Sequence, residues 1–279
     1  MPKTEYNSTY FKLTHTIEEQ PPHPTIPYNY YDDTYAITIL IHGEGTCSVE
    51  GNVYEIKDGD LMVLSPDEIR SFKFTDHAYH ERLSVYFSDS VLLPFFEYDL
   101  PLMNIFRNRS SGLGNRYSLS ENNNIIINQL KELAHKENNS INTARIHGLV
   151  LLLLFGIYDA RDPQNPQEIS AISSPVIFDI CCYIKNNLDK DLSYNTLQNK
   201  FLVSRYQLSE VFVRNTGMSL TEYIIRKRLN RVVLLVNQGS GIEEAAYSAG
   251  FHTYSHFYKE FVKYYKKSPR NFFDNMNTK

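Results

Sequence analysis

The sequence predicts a two-domain chain: an N-terminal antiparallel β barrel or jelly roll with two following helices, then an all-α domain of about seven helices containing two helix-turn-helix units. Three observations predict it. Up to about residue 90 the apolar residues come in short runs broken by Gly, Pro and Asp, the rhythm of strands and turns. From residue 121 onward they recur every third or fourth position, the period of helices. Within that helical part, one pattern of helix, tight turn and helix occurs twice, with its capping residues Ser204 and Thr253 49 positions apart. At 279 residues, both domains are long enough to bury a core. The expected boundaries are 1–159 for the first domain, 160–174 for a linker and 175–279 for the second.

The expected strands are Tyr35 to Ile41, Gly45 to Glu50, Asn52 to Ile56, Leu61 to Leu64, Arg70 to Phe74 and Glu81 to Phe87. Short strands at this spacing suit a small barrel or jelly roll with room for a ligand. Residues 89–118, with Pro94, Pro101 and the stretch from Gly112 to Gly114, read as irregular. Two helices follow, Glu121 to Lys136 and Asn142 to Tyr158, and the second is apolar nearly all round, which implies burial on more than one side. Its greasiest run, Leu149 to Ile157, is half the length of a membrane crossing. The segment Ala160 to Ser174 has two prolines and no periodicity, as a linker would.

In the second domain, residues 242–261 read IEEAAYSAGFHTYSHFYKEF. Ala245 and Ala246 are small where helices cross, Gly250 suits a left-handed turn, Thr253 caps the next helix, and Phe257 and Phe261 share its buried face. A helical hairpin in any core would look similar. The earlier copy, residues 192–217, repeats the form with a turn through Leu202 and Val203, a cap at Ser204, and Leu208, Val211 and Phe212 facing inward. Between the copies, residues 220–239 form a helix with Tyr223, Ile224, Leu229, Val232, Val233 and Val236 on one side. Arg226, Lys227, Arg228 and Arg231 crowd the other. Such a rod, roughly 25 Å long, can hold two helices about one DNA turn apart.

Charge agrees with that geometry. From Pro175 to the end there are 15 Lys and Arg against 9 Asp and Glu, while residues 1–174 carry 13 against 23. Only the C-terminal part has the electrostatics for a phosphate backbone. Cys47, Cys181 and Cys182 lack metal-ligand spacing and suit reduced thiols in a cytoplasm, and the first residues lack the apolar stretch of a secretion signal.

Residues 175–275 resemble the DNA-binding domain of AraC/XylS-type transcription regulators. The family pattern falls on Ser204, Leu208, Ser209, Phe212, Thr216, Gly217, Ser219, Tyr223 and Arg228, then on Ile242, Glu244, Ala246, Gly250, Phe251, Phe257, Phe261, Ser268 and Pro269. Three positions depart from it: Gln198 where the family has Ala, Glu210 where it has Arg, and Lys266 where it has Gly. Glu210 either accepts a hydrogen bond from cytosine N4 or marks weak engagement by the first unit. The stretch GEGTCSVEGNVYEIKDGDLMVLSP is similar to the cupin-like sensor of such regulators. Enzymatic cupins hold a metal with a His-x-His pair, a Glu and a further His. Here IPYNYYDD occupies the approach segment and Arg70 stands where the last His is common, so no metal, cofactor or catalytic residue is expected.

The resemblance implies a bacterial, cytoplasmic regulator whose N-terminal domain senses a small molecule, with a sugar as the leading class; activator is the first reading of its action, and the sequence leaves activation and repression both open. Its implied partners are double-stranded promoter DNA, RNA polymerase and a second copy of the chain, joined through the helix pair of residues 121–158. Base-facing candidates are Arg205, Tyr206, Gln207, Ser209 and Glu210 on the first reader helix, with Tyr254, Ser255, Tyr258 and Lys259 on the second, and the capping Thr253 is a further DNA-binding candidate. Arg214, Arg226, Arg228, Lys263, Lys267 and Arg270 are expected at phosphates. Ligand-lining candidates are Tyr28, Tyr30, Tyr35, His42, Arg70, His80 and Arg82, with Arg70 foremost because it can bind a carboxylate or sugar hydroxyls. Two rivals stay open: a cupin-type metal enzyme with an appended helical domain, and a regulator with no small-molecule effector.

Overall fold

The computed structural model describes residues 3–8, 11–18, 25–27, 34–75, 79–88, 91–92, 100–107, 109–118, 123–160 and 174–277. The chain divides into two compact units, Met1–Ser173 and Ser174–Lys279.

Two antiparallel sheets build the first unit. The larger runs β1 (Lys3–Asn7), β2 (Phe11–Glu18), β9 (His80–Phe87), β4 (Tyr35–His42), β7 (Asp60–Leu64) and β10 (Arg116–Ser118) from edge to edge. The smaller runs β3 (Thr25–Pro27), β8 (Arg70–Phe74), β5 (Gly45–Val49) and β6 (Asn52–Ile56). The strands therefore form two separate hydrogen-bonded sheets, the jelly-roll form of the expected fold rather than a closed barrel. Between β5 and β6, Glu50 and Gly51 take φ values of 51° and 86°, as a two-residue hairpin turn requires. Glu50 tolerates this because its carboxylate accepts from the Ile69 backbone N–H at 2.5 Å while its own N–H donates back at 2.9 Å.

The period-two alternation of the strands sorts two cores. Ala36, Leu40, Met62, Leu64 and Tyr86 of the larger sheet meet Cys47, Val49, Tyr54, Ile56, Phe72 and Phe74 of the smaller. The opposite face of the larger sheet, with Leu13, Ile37, Ile39, Leu83 and Val85, packs against α2 (Asn123–Leu133) and α3 (Ser140–Asp159). Within the stretch read as irregular, the described residues 100–107 and 109–118 hold regular elements. They contain α1 (Asn104–Arg107) and β10, whose three residues pair with β7 and owe their register to that partner rather than to a periodic pattern.

The helix α3 is 20 residues long, and an 18-residue window of it has a mean hydropathy of 1.5, long and apolar enough by length and composition to cross a bilayer. Its actual place is in the core: Ile146, Val150, Leu153, Leu154 and Ile157 are fully buried against the sheet. Burial stabilises each by about 1.5 to 3 kcal/mol.

The second unit is helical: α4 (Pro175–Asn186), α5 (Tyr194–Phe201), a π-helical segment Gln207–Val211 running into α6 (Phe212–Thr216), α7 (Leu220–Asn237), α8 (Ile242–Ser248), α9 (Tyr254–Tyr265) and α10 (Pro269–Asn277). Side-chain caps start α5, α7 and α9, where Ser193, Ser219 and Thr253 accept from the backbone N–H three residues on. Ser204 and Gln207 close a reciprocal capping box, Gln207 N–H to Ser204 Oγ at 3.2 Å and Ser204 N–H to Gln207 Oε1 at 2.8 Å. The core gathers Leu229, Val232 and Val233 of α7, Ala245 and Ala246 of α8, and Phe257 and Phe261 of α9. Alanine on α8 lets that helix approach α7 closely, so the bulk is supplied by phenylalanines from α9.

Candidate functional site

The second helix-turn-helix unit is α8, a turn and α9. Gly250 N–H donates to Tyr247 O at 2.9 Å and Phe251 N–H to Ala246 O at 3.1 Å, a Schellman ending with Gly250 at φ 96°. Phe257 and Phe261 are buried, which turns Ser255, Tyr258, Lys259 and Lys263 to solvent. Thr253 is exposed and already committed, its hydroxyl accepting from His256 N–H at 3.2 Å. Tyr254 is half-buried rather than outward-facing, its ring 5.4 Å from that of Phe257. Burial raises the pKa of its hydroxyl, with Glu243 and Tyr258 adding to the shift. His252 and His256 are exposed on the same end of the helix and were missed as candidates. The signal was available, because His256 lies three residues before Lys259.

The first unit presents a different surface. From Arg205 to Thr216 the chain is helical, but Phe212 N–H reaches back five residues to Gln207 O, inserting a wide turn that re-aims the side chains after it. Arg205, Tyr206, Glu210 and Arg214 are exposed, with the Arg205 guanidinium 5.8 Å above the Tyr194 ring. Gln207 and Ser209 are half-buried and engaged by their own helix, Gln207 in the capping box and Ser209 Oγ donating to Arg205 O at 3.0 Å. Leu202 makes the turn at φ 53°, bearing its side chain into open solvent. Gln198 is half-buried, and Lys266 takes φ 58°, so both departures from the pattern are accommodated.

On α7 the basic residues do not form the free cationic face expected of them. Lys227 is buried, its ammonium 5.8 Å from the Tyr223 ring centroid. Arg226 pairs with Glu222 at 2.7 Å and lies over the Tyr264 ring. Arg228 donates from Nε to Leu188 O at 3.0 Å and from Nη2 to Lys190 O at 3.3 Å. The physical reason is that α7 is contacted on more than its apolar stripe, so a one-sided helical projection places too many side chains in water. Arg231, Lys267 and Arg270 are exposed.

The ligand-lining candidates scatter. Tyr28 and Tyr30, like linker residues 161–173, lie outside the described residues. Tyr35 packs on the helix-covered side of the larger sheet with Phe87 and Phe106, its hydroxyl accepting from Arg107 Nε at 3.1 Å. His42 follows an irregularity in β4 after Leu40 and is exposed, 3.1 Å from Asp58. Arg70 is buried and turned back on the β7–β8 turn, donating to the carbonyls of Ser65 and Glu68 at 3.3 and 3.4 Å.

His80 and Arg82 do come together, on the face of β9 that looks toward the smaller sheet. Strand register sets beside them Glu18 and Thr16 of β2, then Ser84 with Thr14 and Thr38, all buried. The His80 ring stacks on Phe74 at 3.8 Å, and its Nε2 lies 3.2 Å from Glu18 Oε2. Burial, with the Arg82 guanidinium second, pushes the His80 pKa down to about 4, so the ring is neutral. Among the described residues neither of its nitrogens has a properly aligned hydrogen bond, and Arg82 Nη1 is likewise unmet. A neutral imidazole, a guanidinium and several hydroxyls on one inward face can bind a polar molecule by donation and acceptance. Among the described residues no three His, Cys, Asp or Glu converge to hold a metal ion.

Comparison with known proteins bears on both units. Residues 16–97 match the AraC-like ligand binding domain family and residues 197–275 a Helix-turn-helix domain family. The Msm operon regulatory protein of Streptococcus mutans is 25% identical over 242 residues, covering 86% of this chain and 84% of that protein. The chain belongs to the AraC family of transcription regulators. The HTH-type transcriptional regulator YfiF of Bacillus subtilis is 31% identical over 108 residues, 38% of this chain and 34% of that protein. Among solved structures, ToxT from Vibrio cholerae aligns over 95% of this chain and 97% of that one at 16% identity, with a TM-score of 0.42. The AraC-like transcriptional activator CuxR aligns over 88% and 84% at 15% identity, with a TM-score of 0.38.

As an AraC-family regulator the chain has a ligand-binding domain and a helix-turn-helix DNA-binding domain. DNA and a small-molecule effector are its implied partners. Its matched relatives are regulators rather than enzymes.

Proposed function

We propose that this regulator is a ligand-responsive, sequence-specific activator of genes for carbohydrate or small-metabolite use, working in the cytoplasm with RNA polymerase as a further partner. The observation that carries the DNA reading is the pair of capped helices joined by α7, each with its apolar side buried and its polar side in water. Ser255, Tyr258 and Lys259 read base edges, helped by His256. Arg205, Tyr206 and Glu210 do so from the first unit, where the carboxylate suits a cytosine amino group. Thr253, Arg214, Lys263, Lys267 and Arg270 meet the phosphate backbone, and Gln207 and Ser209 shape the first helix from within.

The effector sits over His80 and Arg82. The hydroxyls of Thr14, Thr16, Thr38 and Ser84 beside them favour a polyhydroxylated ligand such as a sugar over an apolar one. Binding biases one arrangement of the protein over another only through its difference in affinity for the two. A second copy docks on the exposed side of α3, where Ile141, Leu152, Phe155 and Tyr158 are open to solvent.

Two measurements test this reading. Equal affinity for a promoter fragment and for a scrambled duplex at the same salt contradicts the DNA assignment. Thermal unfolding with a panel of sugars and organic acids tests the effector: a ligand raises the melting temperature by mass action, and a panel without effect argues for a regulator lacking one.

A further inference from the structure

A continuous line of contacts runs from the turn of the second helix-turn-helix unit to the cap of the first. At Gly250 a β-carbon would fall 1.9 Å from Leu188 O, so the α4–α5 loop rests directly on the backbone of that turn. Arg228 of α7 grips the same carbonyl at 3.0 Å and that of Lys190 at 3.3 Å. The next residue, Asp191, accepts from Ser193 N–H at 2.9 Å and from Thr196 Oγ1 at 2.5 Å, which ties the loop to the start of α5. Ser193 and Thr253 cap the first helix of one unit and the reader helix of the other, and His252 lies close enough to Asp191 to help hold its pKa down, after the Thr196 and Ser193 hydrogen bonds.

The contrast between the two turns gives this line its meaning. Leu202 adopts a left-handed conformation similar to that of Gly250 but faces solvent, so a side chain is tolerated there. Gly250 is confined by the loop as well as by its φ of 96°, so a side chain is not. Arg228 is drawn partly out of water, and burial lowers its pKa while Asp189 and Asp191 oppose the shift. An arginine held this way is not presented to phosphate.

We propose that the α4–α5 loop, seated on Gly250 and clamped by Arg228, fixes the rotation of one reader helix relative to the other and so the half-site separation that the protein accepts. The inference rests on the reading that both reader helices engage one duplex. A single rod such as α7 sets the distance between two bodies but resists their rotation about its own axis poorly. A side contact is needed for that. Each inserted base pair moves the second half-site by about 3.4 Å and about 35°, so the stiffness of that contact becomes spacing selectivity. Arg228 is thus a positioning residue.

The test uses the full chain and a duplex pool with about 30 randomised base pairs, followed by affinity measurements on the recovered duplexes with one or two base pairs inserted between the submotifs. Wild type is expected to recover two short submotifs at one separation and to lose about tenfold in affinity on insertion, whereas Arg228→Ala keeps the submotifs and loses no more than about twofold. Uniformly weaker binding by Arg228→Ala with the separation unchanged overturns the proposal, since a merely stabilising or phosphate-binding arginine would act so. If that variant is unfolded by circular dichroism, Arg228→Lys takes its place, keeping stem and charge without the planar fork, and the same unchanged separation is decisive. A single submotif from wild type removes the two-helix reading itself and the proposal with it.

Discussion

Arg109 and Glu68 form a bidentate ion pair inside the N-terminal unit, Nη1 to Oε1 at 2.5 Å and Nη2 to Oε2 at 2.6 Å. Glu68 also accepts from the N–H groups of Ser65 and Gly112 and from Asn115 Nδ2, at 2.8 to 3.0 Å. Burial alone would raise the Glu68 pKa, but the guanidinium and these hydrogen bonds outweigh it and the net shift is downward. Removing either partner strands the other charge. Arg109→Ala and Glu68→Ala are each expected to cost about 3 to 5 kcal/mol in urea unfolding of the unit, and the double variant less than their sum. Additive losses would mean that the two side chains act independently.

Stability should also depend on pH through His80. Its folded pKa of about 4 lies below the roughly 6.5 of an unfolded histidine, so the unfolded chain binds the proton more readily. Its contribution is therefore complete above about pH 6.5 and is lost as pH falls toward about 4, roughly 3 kcal/mol. His80→Phe keeps a ring on Phe74 and removes the titration, so its urea midpoint should fall less across that window. Parallel profiles for the two proteins would exclude a neutral buried His80.

Lys259→Ala is expected to weaken specific duplex binding by about 1 to 3 kcal/mol with an unchanged melting temperature, because the side chain is exposed. Lys263→Ala should reduce the slope of log affinity against log salt by about 1 and weaken all sequences alike. Tyr254→Ala differs from both: it opens space beside Phe257 and should lower the melting temperature as well as affinity. A Lys259→Ala protein that discriminates promoter from scrambled duplex as well as wild type would remove that residue from the reading surface.

Leu152→Glu addresses the second copy. Leu152 is 56% exposed on α3, so a carboxylate there leaves the fold intact while placing two like charges across a two-fold contact. Sedimentation velocity should show wild type as a dimer and the variant as a monomer. A dimer that persists in the variant places the contact elsewhere.

Much of this architecture was legible in the sequence because local chemistry dictates it. Thr253 and Ser204 cap where their hydroxyls suggest, Gly250 takes its left-handed turn, and Phe257 and Phe261 bury where their spacing of four places them. The short strands from Tyr35 to Phe87 follow their alternation closely. What escaped depends on partners distant in sequence. β10 exists because β7 lies beside it, and Tyr35 belongs to the helix-covered core because its register opposite Phe87 puts it there. The interior set was hidden for the same reason, since Thr16, Glu18 and Thr38 meet His80, Arg82 and Ser84 only through the pairing of β2, β9 and β4.

By itself the sequence determined the two kinds of domain, the duplicated helix-turn-helix pattern and the cationic character of the second half, since caps, periodicity and charge are properties of neighbouring residues. Tertiary structure alone decided which cations remain free for DNA and which are spent inside the protein. Arg226, Lys227 and Arg228 have the same charge on paper as Lys259, yet their side of α7 is met by neighbouring groups where that of Lys259 on α9 is open, and only packing distinguishes a side chain held by carbonyls, carboxylates and rings from one left in water.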